Sequence, residues 1–227
     1  MLPRIVFLHI GKTGGANLHR ALSACYPEAD RAPHVAGVRR PDPATLRPFR
    51  YVGGHFGYSY AAEIGGAMVT VLRNPVDRIL SLYSFWRNTP ARQRILRDMT
   101  LAEFVTDGEE AIIGSVVNTQ TWFCAADPAT RIRWRMARVP EDELLGMAKA
   151  HLDEFAVVGV TDRMDALQQD IEAVFGLKID LGKHRNRTKD RTRAEDVPPD
   201  VIALIEERTH LDRQLYEYAL SRQRIAA

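Results

Sequence analysis

The stretch from Val6 to Leu22, VFLHIGKTGGANLHRAL, decides which fold the chain is expected to have. It opens inside an apolar, β-branched run that predicts a buried strand over Ile5–His9. A helix is predicted from about Ala16 to Cys25. The glycine-rich segment between them contains a lysine and leads into a helix N-terminus, where free backbone N–H groups and the positive end of the helix dipole attract anions. The stretch therefore predicts a strand-loop-helix site for a phosphate-like group.

The loop departs from the pattern that binds nucleoside triphosphates. That pattern is a glycine, four residues and then Gly-Lys-Ser/Thr. Gly11, Lys12 and Thr13 satisfy its end, but the first glycine position is Val6, inside the predicted strand. The flexible glycines, Gly14–Gly15, follow the lysine instead. On these residues alone, an anion site and a tight turn with a solvated lysine both remain open.

Length and composition narrow the possible classes of protein. At 227 residues without a linker signal, we expect one domain over residues 1–227. A net charge of +2 argues against a strongly basic polymer binder, so no nucleic-acid partner is expected. Two cysteines give no disulfide framework, which favours a reducing compartment. The first strand begins within five residues of Met1 and is too short to cross a membrane, so we expect no signal peptide, no membrane span and a cytoplasmic location.

Further apolar runs alternate with helical patterns along the chain. Asn74 and Pro75 predict a helix start, and Asp162 and Gly176 predict the two ends of another helix. This alternation predicts an α/β fold, with a central parallel sheet flanked by helices and ligands at the carboxyl ends of the strands. The remaining predicted strands are Arg50–Gly53, Ala67–Leu72 and Phe155–Val160, and the last helices are Pro199–Arg208 and Leu211–Ser221.

A second anion site is predicted in VTVLRNPVDRILSLYSFWR, Val69–Arg87. Arg73 lies at the end of a predicted strand, and Ser81 follows two turns into the next helix. Arg78 is three residues before Ser81, so helical spacing places the two on one face. An arginine, a helix N-terminus and a hydroxyl can together hold an anion. The alternative is a helix cap with a surface ion pair.

Taken together, the two stretches resemble sulfotransferases that use 3′-phosphoadenosine 5′-phosphosulfate (PAPS), particularly the branch of heparan sulfate and uronyl 2-O-sulfotransferases. HIGKTGGANL resembles the family's 5′-phosphosulfate loop, H-I-P-K-T-G-G-T-S-L, and LRNPVDRILSLYSF resembles its 3′-phosphate motif. Weaker similarity covers most of the chain, in GGHFGY, NTQTWF, FAVVGVTDRMDALQQDIEAVFG and LDRQLYEYA. The lysine loop would then hold a phosphosulfate rather than a triphosphate.

The resemblance implies a site and a reaction. Lys12 would stabilise charge on the leaving 5′-phosphate, and His55 would remove the proton of the acceptor hydroxyl, with Glu63 or Asp77 as the alternative base. The product would be 3′-phosphoadenosine 5′-phosphate (PAP). No metal is expected, because the seven histidines are scattered along the chain. The implied cofactor-binding residues are Gly11, Lys12, Thr13, Gly14, Gly15, Ala16, Asn17, Arg73, Ser81, Asn186 and Thr188.

Two positions depart from the family pattern. Ala16–Asn17 stand where the family has Thr-Ser, which removes at least one hydroxyl contact to phosphate. Gly53 stands where some relatives have a second histidine, two residues before His55. The polar residues Asn118, Gln120 and Thr121 are expected to pack near the site rather than to catalyse.

The acceptor is expected to be a sugar-like or glycolipid hydroxyl, and the protein to be bacterial. Lys183–Arg193 is interpreted as a loop folding over the cofactor or as a solvated loop, and Arg131–Arg138 as a site for an acidic sugar. Two other functions stay open. One is a nucleotide-dependent kinase, although the chain lacks the first loop glycine and a clear magnesium-binding Asp. The other is a non-catalytic module that binds a nucleotide or a sulfated glycan.

Overall fold

Four short parallel strands form the centre of the fold in the computed structural model, which describes residues 2–36, 40–96, 98–126, 139–181 and 192–222. The strand order in the sheet is β2-β1-β3-β4, and every neighbouring pair is parallel. The predicted α/β fold with a central parallel sheet is therefore confirmed. The strands are β1 Ile5–Leu8, β2 Tyr51–Gly54, β3 Ala67–Leu72 and β4 Val157–Val160.

Helices fill the connections between the strands. Two helices, α1 Gly15–Ala24 and α2 Pro43–Leu46, join β1 to β2, and α3 Tyr58–Ile64 joins β2 to β3. Between β3 and β4 the described helices are α4 Pro75–Arg87, α5 Pro90–Leu96, α6 Leu101–Thr106, α7 Glu110–Val116, α8 Thr119–Ala125 and α9 Glu141–Asp153. After β4 come α10 Met164–Phe175, α11 Pro199–Arg208 and α12 His210–Arg222. Short 3-10 turns occupy Glu28–Asp30, Thr161–Arg163 and Ala194–Asp196.

The sheet is buried on both faces, which explains why its strands are continuous apolar runs. Ile5 and Phe7 of β1 pack on one face with α1 and α10. Val6 and Leu8 pack on the other face with α3, α8, α9 and α12. A third cluster joins α4 to α6, α7 and α11 beside the sheet. This packing leaves the carboxyl edge of the sheet to the loops that carry the two predicted anion sites.

The predicted helix ends are partly confirmed. The Asn74 side chain accepts a hydrogen bond from the Val76 N–H, and Gly176 ends α10 in the left-handed region with a φ of 68°. Asp162 was expected to cap α10, and this prediction is wrong. Its carboxylate instead accepts a hydrogen bond from the hydroxyl of Tyr216 on α12, and α10 begins at Met164 without a side-chain cap.

Candidate functional site

The lysine loop connects β1 to α1 at the carboxyl edge of the sheet. Lys12 adopts a φ of 70°, a left-handed conformation that costs a non-glycine residue about 1–2 kcal/mol. Thr13 is fully buried and donates its hydroxyl hydrogen bond to the Ile10 carbonyl at 2.9 Å. Gly14, with a φ of 80°, is the N-cap residue that directly precedes α1. Backbone strain at one lysine, held by a buried threonine, is typical of a functional loop.

The first turn of α1 lies directly against the ring of His9. A Cβ atom at Gly15 would lie 2.3 Å from His9 Cδ2 and 2.6 Å from Nε2, closer than any side chain permits. Gly15 therefore allows the helix N-terminus to approach the end of β1.

Arg73 brings the second predicted anion site into contact with the first. It follows β3, the strand beside β1, and its guanidinium Nη1 donates a hydrogen bond to the Lys12 carbonyl at 3.0 Å. The Lys12 ammonium lies 4.2 Å from the ring centroid of Phe85 on α4, within range of a cation–π contact. Burial, and then repulsion from Arg73, lowers the pKa of Lys12. An anion bound between two such cations would relieve this repulsion.

A buried polar network holds the backbone of Arg73. The Gln120 carboxamide accepts from the Arg73 N–H at 2.9 Å and donates to the Arg73 carbonyl at 2.9 Å. The fully buried carboxylate of Asp212 on α12 accepts from the backbone N–H groups of Gln120 and Thr121, at 3.1 and 2.8 Å, and from the Thr121 hydroxyl at 2.9 Å. Asn118 accepts from the Leu211 N–H at 3.0 Å. Two side chains, Asp212 and Asn118, therefore connect α8 with α12.

Sequence reasoning placed Gln120 and Thr121 near the site but missed Asp212. The sequence feature that could have identified Asp212 is its position. It is an acidic residue in LDRQLYEYA that lies between Leu211 and Leu215, two residues of the apolar face of α12.

Thr161 joins the lysine loop to the end of β3. Its hydroxyl is within hydrogen-bond distance of two carbonyls, that of Thr13 at 2.9 Å and that of Leu72 at 3.1 Å. Because Thr161 directly follows β4, its side chain connects the end of β4 with the end of β3 and with the lysine loop. Thr161 thus helps to hold the lysine loop beside Leu72, the residue before Arg73.

The predicted pairing of Arg78 with Ser81 in an anion pocket is wrong. Arg78 is only 1% exposed, and its guanidinium Nη2 donates to the Ser115 carbonyl at 2.8 Å and the Val116 carbonyl at 3.4 Å. These carbonyls lie at the end of α7, where a helix has free acceptors that attract a cation. Ser81 is half-buried on α4.

His55 follows β2 and is fixed at two points. Its backbone N–H donates to the Val35 carbonyl at 2.8 Å, and its ring Nδ1 lies 2.7 Å from the His9 carbonyl. A carbonyl only accepts, so Nδ1 carries the proton and Nε2 keeps its lone pair. Burial lowers the pKa of His55 more than the His9 carbonyl raises it. The ring is therefore neutral at pH 7 and able to accept a proton at Nε2.

Four of the seven histidines form a cluster, which corrects the expectation that they are scattered. His9, His34 and His55 each offer a ring nitrogen within 4.8 Å of the others, and the His19 ring centroid lies 4.8 Å from that of His34. The cause is strand register. Leu8 pairs with Gly54, so the residues that follow them, His9 and His55, end neighbouring strands together. A bridge between Val35 and Gly54 adds His34.

His19 explains the glycine at position 53. A Cβ atom there would lie 2.7 Å from His19 Nδ1 and 2.8 Å from the Tyr51 hydroxyl, which are themselves 2.8 Å apart and hydrogen-bonded. The space beside Gly53 is thus filled by the imidazole of His19.

The two carboxylates considered as alternative bases lie at different edges of the sheet. Glu63 is near the end of α3, and the next residue, Ile64, accepts a hydrogen bond from Arg4 just before β1. Glu63 is therefore at the amino edge, away from Lys12. Asp77 is in the first turn of α4, which follows Arg73 at the carboxyl edge.

Several predicted residues lie outside the described parts of the chain. They are Asn186 and Thr188, the stretch Lys183–Arg191 of the basic loop, and Arg131–Arg138. Within the described ranges, no helix combines the length and hydropathy that a membrane span needs.

Comparison with known proteins adds family information. A family model described as "Sulfotransferase family" matches residues 3–219. Among solved structures, the chain is similar to "Crystal Structure of Sulfotransferase from Alicyclobacillus acidocaldarius", with 17% sequence identity, a TM-score of 0.49, and coverage of 100% of this chain and 98% of that chain. No curated protein sequence matches significantly.

Proposed function

The chain belongs to the sulfotransferase family, and we propose that residues 1–227 form one sulfotransferase domain that uses PAPS to sulfate a hydroxyl of a carbohydrate or glycoconjugate. The observation that carries this proposal is the contact between the two phosphate motifs. Arg73 donates to the Lys12 carbonyl at 3.0 Å, although 61 residues separate them in sequence. PAPS carries an anionic group at both the 3′ and the 5′ position of its ribose, so it requires two adjacent cationic sites.

Each motif has a distinct role in binding. The loop Gly11–Asn17 offers Lys12 and the N-terminus of α1 to the 5′-phosphosulfate. Arg73, with Ser81 on α4, is assigned to the 3′-phosphate. The resemblance also assigns Asn186 and Thr188, which lie outside the described residues, to the cofactor.

The transfer reaction needs an acid–base partner and a stabiliser of charge. His55 Nε2 takes the proton of the acceptor hydroxyl while that oxygen bonds to sulfur and the bond from sulfur to the 5′-phosphate oxygen breaks. The His9 carbonyl holds Nδ1–H, so the ring stays oriented and the resulting imidazolium is stabilised. The Lys12 ammonium offsets the charge that develops on the leaving phosphate.

The position of His55 favours an enzyme over a non-catalytic module. A module would be favoured by a histidine that is buried and bonded away from the lysine loop. His55 is half-buried and bonds to the carbonyl of His9, the third residue before Lys12.

Cofactor binding is tested by thermal unfolding with PAP in the absence of magnesium. At a PAP concentration of 100 times its dissociation constant, the unfolding free energy should rise by about 2.7 kcal/mol. ADP lacks the 3′-phosphate and should stabilise less, and Arg73→Ala should reduce the gap between the two ligands. Arg94→Ala, which changes an exposed arginine on α5, is the matched control. Equal stabilisation of the wild type by PAP and ADP would contradict the assignment of Arg73 and Ser81, and a strict magnesium requirement would favour the kinase.

The acceptor class is tested with radiolabelled PAPS against a panel of glycans and glycolipids. Transfer of label to a sugar hydroxyl is the expected result. Transfer only to non-carbohydrate hydroxyls in a broader panel would keep the sulfotransferase and reject the carbohydrate acceptor.

A further inference from the structure

We propose that His9, His34 and His55 form a binding site for a divalent transition-metal ion, with Zn²⁺ as the best match. The site lies where β1 and β2 end, beside the lysine loop. The binding itself is independent of the proposed sulfuryl transfer. Its effect on activity, described below, rests on the proposed function.

The spacing of the three rings suits one shared ion. A tetrahedral Zn²⁺ with bonds to nitrogen of about 2.0–2.1 Å places its ligand nitrogens about 3.4 Å apart and the imidazole centroids about 5 Å apart. The three nitrogens lie within 4.8 Å of one another, and the ring centroids are 4.3, 5.3 and 6.1 Å apart. Small side-chain rotations are enough to bring the nitrogens to coordination distance.

His55 has a lone pair available to a metal, and His9 has a ring nitrogen that bonds to no other group. His55 donates Nδ1–H to the His9 carbonyl, which leaves Nε2 free, and a backbone carbonyl is a usual partner for the second nitrogen of a metal-binding histidine. His9 Nδ1 is buried and has no hydrogen-bond partner. The Cδ2–Nε2 edge of that ring faces Gly15, so Nδ1 points away from α1.

The surroundings give the ion both a rigid base and access from solvent. His9 is held by the ladder of β1 and β2, since its N–H donates to the Gly54 carbonyl at 2.9 Å. His34 is exposed and forms the outer wall of the cluster. Three histidines with a fourth position open to water are a ligand set typical of zinc, whereas Mg²⁺ and Ca²⁺ prefer oxygen ligands.

Occupancy of this site would inhibit the proposed reaction. A metal bound to His55 Nε2 takes up the lone pair that would accept the proton of the acceptor hydroxyl. Zn²⁺ should therefore stop sulfuryl transfer and leave PAP binding at Lys12 and Arg73 in place.

The binding test uses Co²⁺ as a spectroscopic probe on the full, tag-free chain freed of metal with a chelator. We expect saturation at one equivalent, with the strong visible absorption of tetrahedral Co²⁺, and displacement of the probe by Zn²⁺. Removing a residue that only hydrogen-bonds to a metal ligand lowers metal affinity about 10–100-fold. Because His34→Ala removes a ligand itself, we expect it to lower the affinity at least about 100-fold. His210→Ala, a half-exposed histidine paired with Glu141, is the matched control and should bind as the wild type does.

His34 is exposed, so His34→Ala should fold, and circular dichroism checks this; His55→Gln is a second variant with the same expected loss. The proposal is overturned if the wild type shows no tetrahedral spectrum, or if both variants keep wild-type affinity. Inhibition is measured separately, as the Zn²⁺ concentration that halves turnover, which should rise in His34→Ala. Zinc that binds as predicted without slowing turnover would support the metal site and remove His55 as the base.

Discussion

The arginine side and the histidine side of the site are built in opposite ways. On the arginine side, both backbone polar groups of Arg73 are bonded to one carboxamide, that of Gln120, which depends in turn on buried Asp212. On the histidine side, the rings pack against one another, and one buried nitrogen, His9 Nδ1, has no partner. Both groups of residues lie at the carboxyl edge of the sheet. His55 follows β2 and Arg73 follows β3, the two strands that flank β1.

The arginine side is built to fix a residue in position, whereas the histidine side keeps a ring nitrogen able to react. A saturated buried network fixes geometry, because every alternative position of Arg73 would leave a polar group unpaired at a cost of about 1–3 kcal/mol. An imidazole with an unused lone pair can still accept a proton or a metal. We therefore expect changes on the histidine side to affect turnover and changes on the arginine side to affect binding and stability.

The largest expected effect is that of His55→Ala on the rate. General-base catalysis typically contributes about 10²–10⁴-fold, so turnover should fall on that scale. PAP affinity should hardly change, since the proposed function assigns His55 to the acceptor rather than to the nucleotide. Steady-state kinetics with the true acceptor and calorimetry with PAP measure the two effects, with His210→Ala as the control. If His55→Ala folds, binds PAP and keeps wild-type turnover, the base must be sought at Asp77.

Gln120→Ala tests the opposite side of the comparison. It leaves the N–H and carbonyl of Arg73 without their partner, and each buried unpaired group costs about 1–3 kcal/mol of unfolding free energy. PAP should bind more weakly, while turnover at saturating PAP should fall much less than in His55→Ala. Gln93→Ala, an exposed glutamine on α5, is the control. Urea unfolding and PAP titration measure the effects. A variant as stable as the control would show that the network does not hold Arg73.

The most gradual expected effect, spread over several pH units, is a pH dependence of stability that comes from the histidine cluster. Burial, followed by repulsion from the neighbouring histidines, lowers the pKa of His9 to about 3, and burial also lowers the pKa of His19, His34 and His55. Below the unfolded value of about 6.5, the unfolded chain binds more protons than the folded one, so stability falls as the pH falls. For His9 alone the loss approaches about 1.4 kcal/mol per pH unit.

One histidine outside the cluster acts with the opposite sign. Burial tends to lower the pKa of His210, but its hydrogen bonds to the Glu207 carbonyl and to Glu141 outweigh burial and raise it. Its contribution is present at low pH and is lost as the pH rises through its folded value. Urea unfolding measures the net pH dependence of the unfolding free energy. The range from pH 4.5 to pH 7 extends from about two units below to about half a unit above the histidine pKa in the unfolded chain. His9→Asn should reduce the slope, and a flat profile in the wild type would mean that the cluster is not desolvated.

The strands could be predicted because each is a buried apolar run. β3 has the predicted limits, Ala67–Leu72, and the Asn74-Pro75 start of α4 is also confirmed. The Lys12 and Arg73 motifs could be placed at one edge because parallel strands share their carboxyl ends. Arg78 could not be placed, because helical spacing gives the face of a residue and not the helix packed against it, here α7.

The histidine cluster was missed for a related reason. It depends on the register that pairs Leu8 with Gly54 and on the bridge from Val35, and neither is visible in one sequence. Asp212 supports Gln120 from 92 residues away, a separation at which local patterns carry no signal.

The bond from Thr161 to the lysine loop has a consequence for how the protein is made. Thr161 and Thr13 are 148 residues apart, so during synthesis the loop leaves the ribosome long before the hydroxyl that supports it. The network that holds Arg73 through Gln120 is likewise complete only after Asp212, on the last described helix, has been synthesised. A nascent chain therefore carries both proposed anion-binding motifs without their final geometry, and the proposed nucleotide binding should begin only once α12 has emerged and docked.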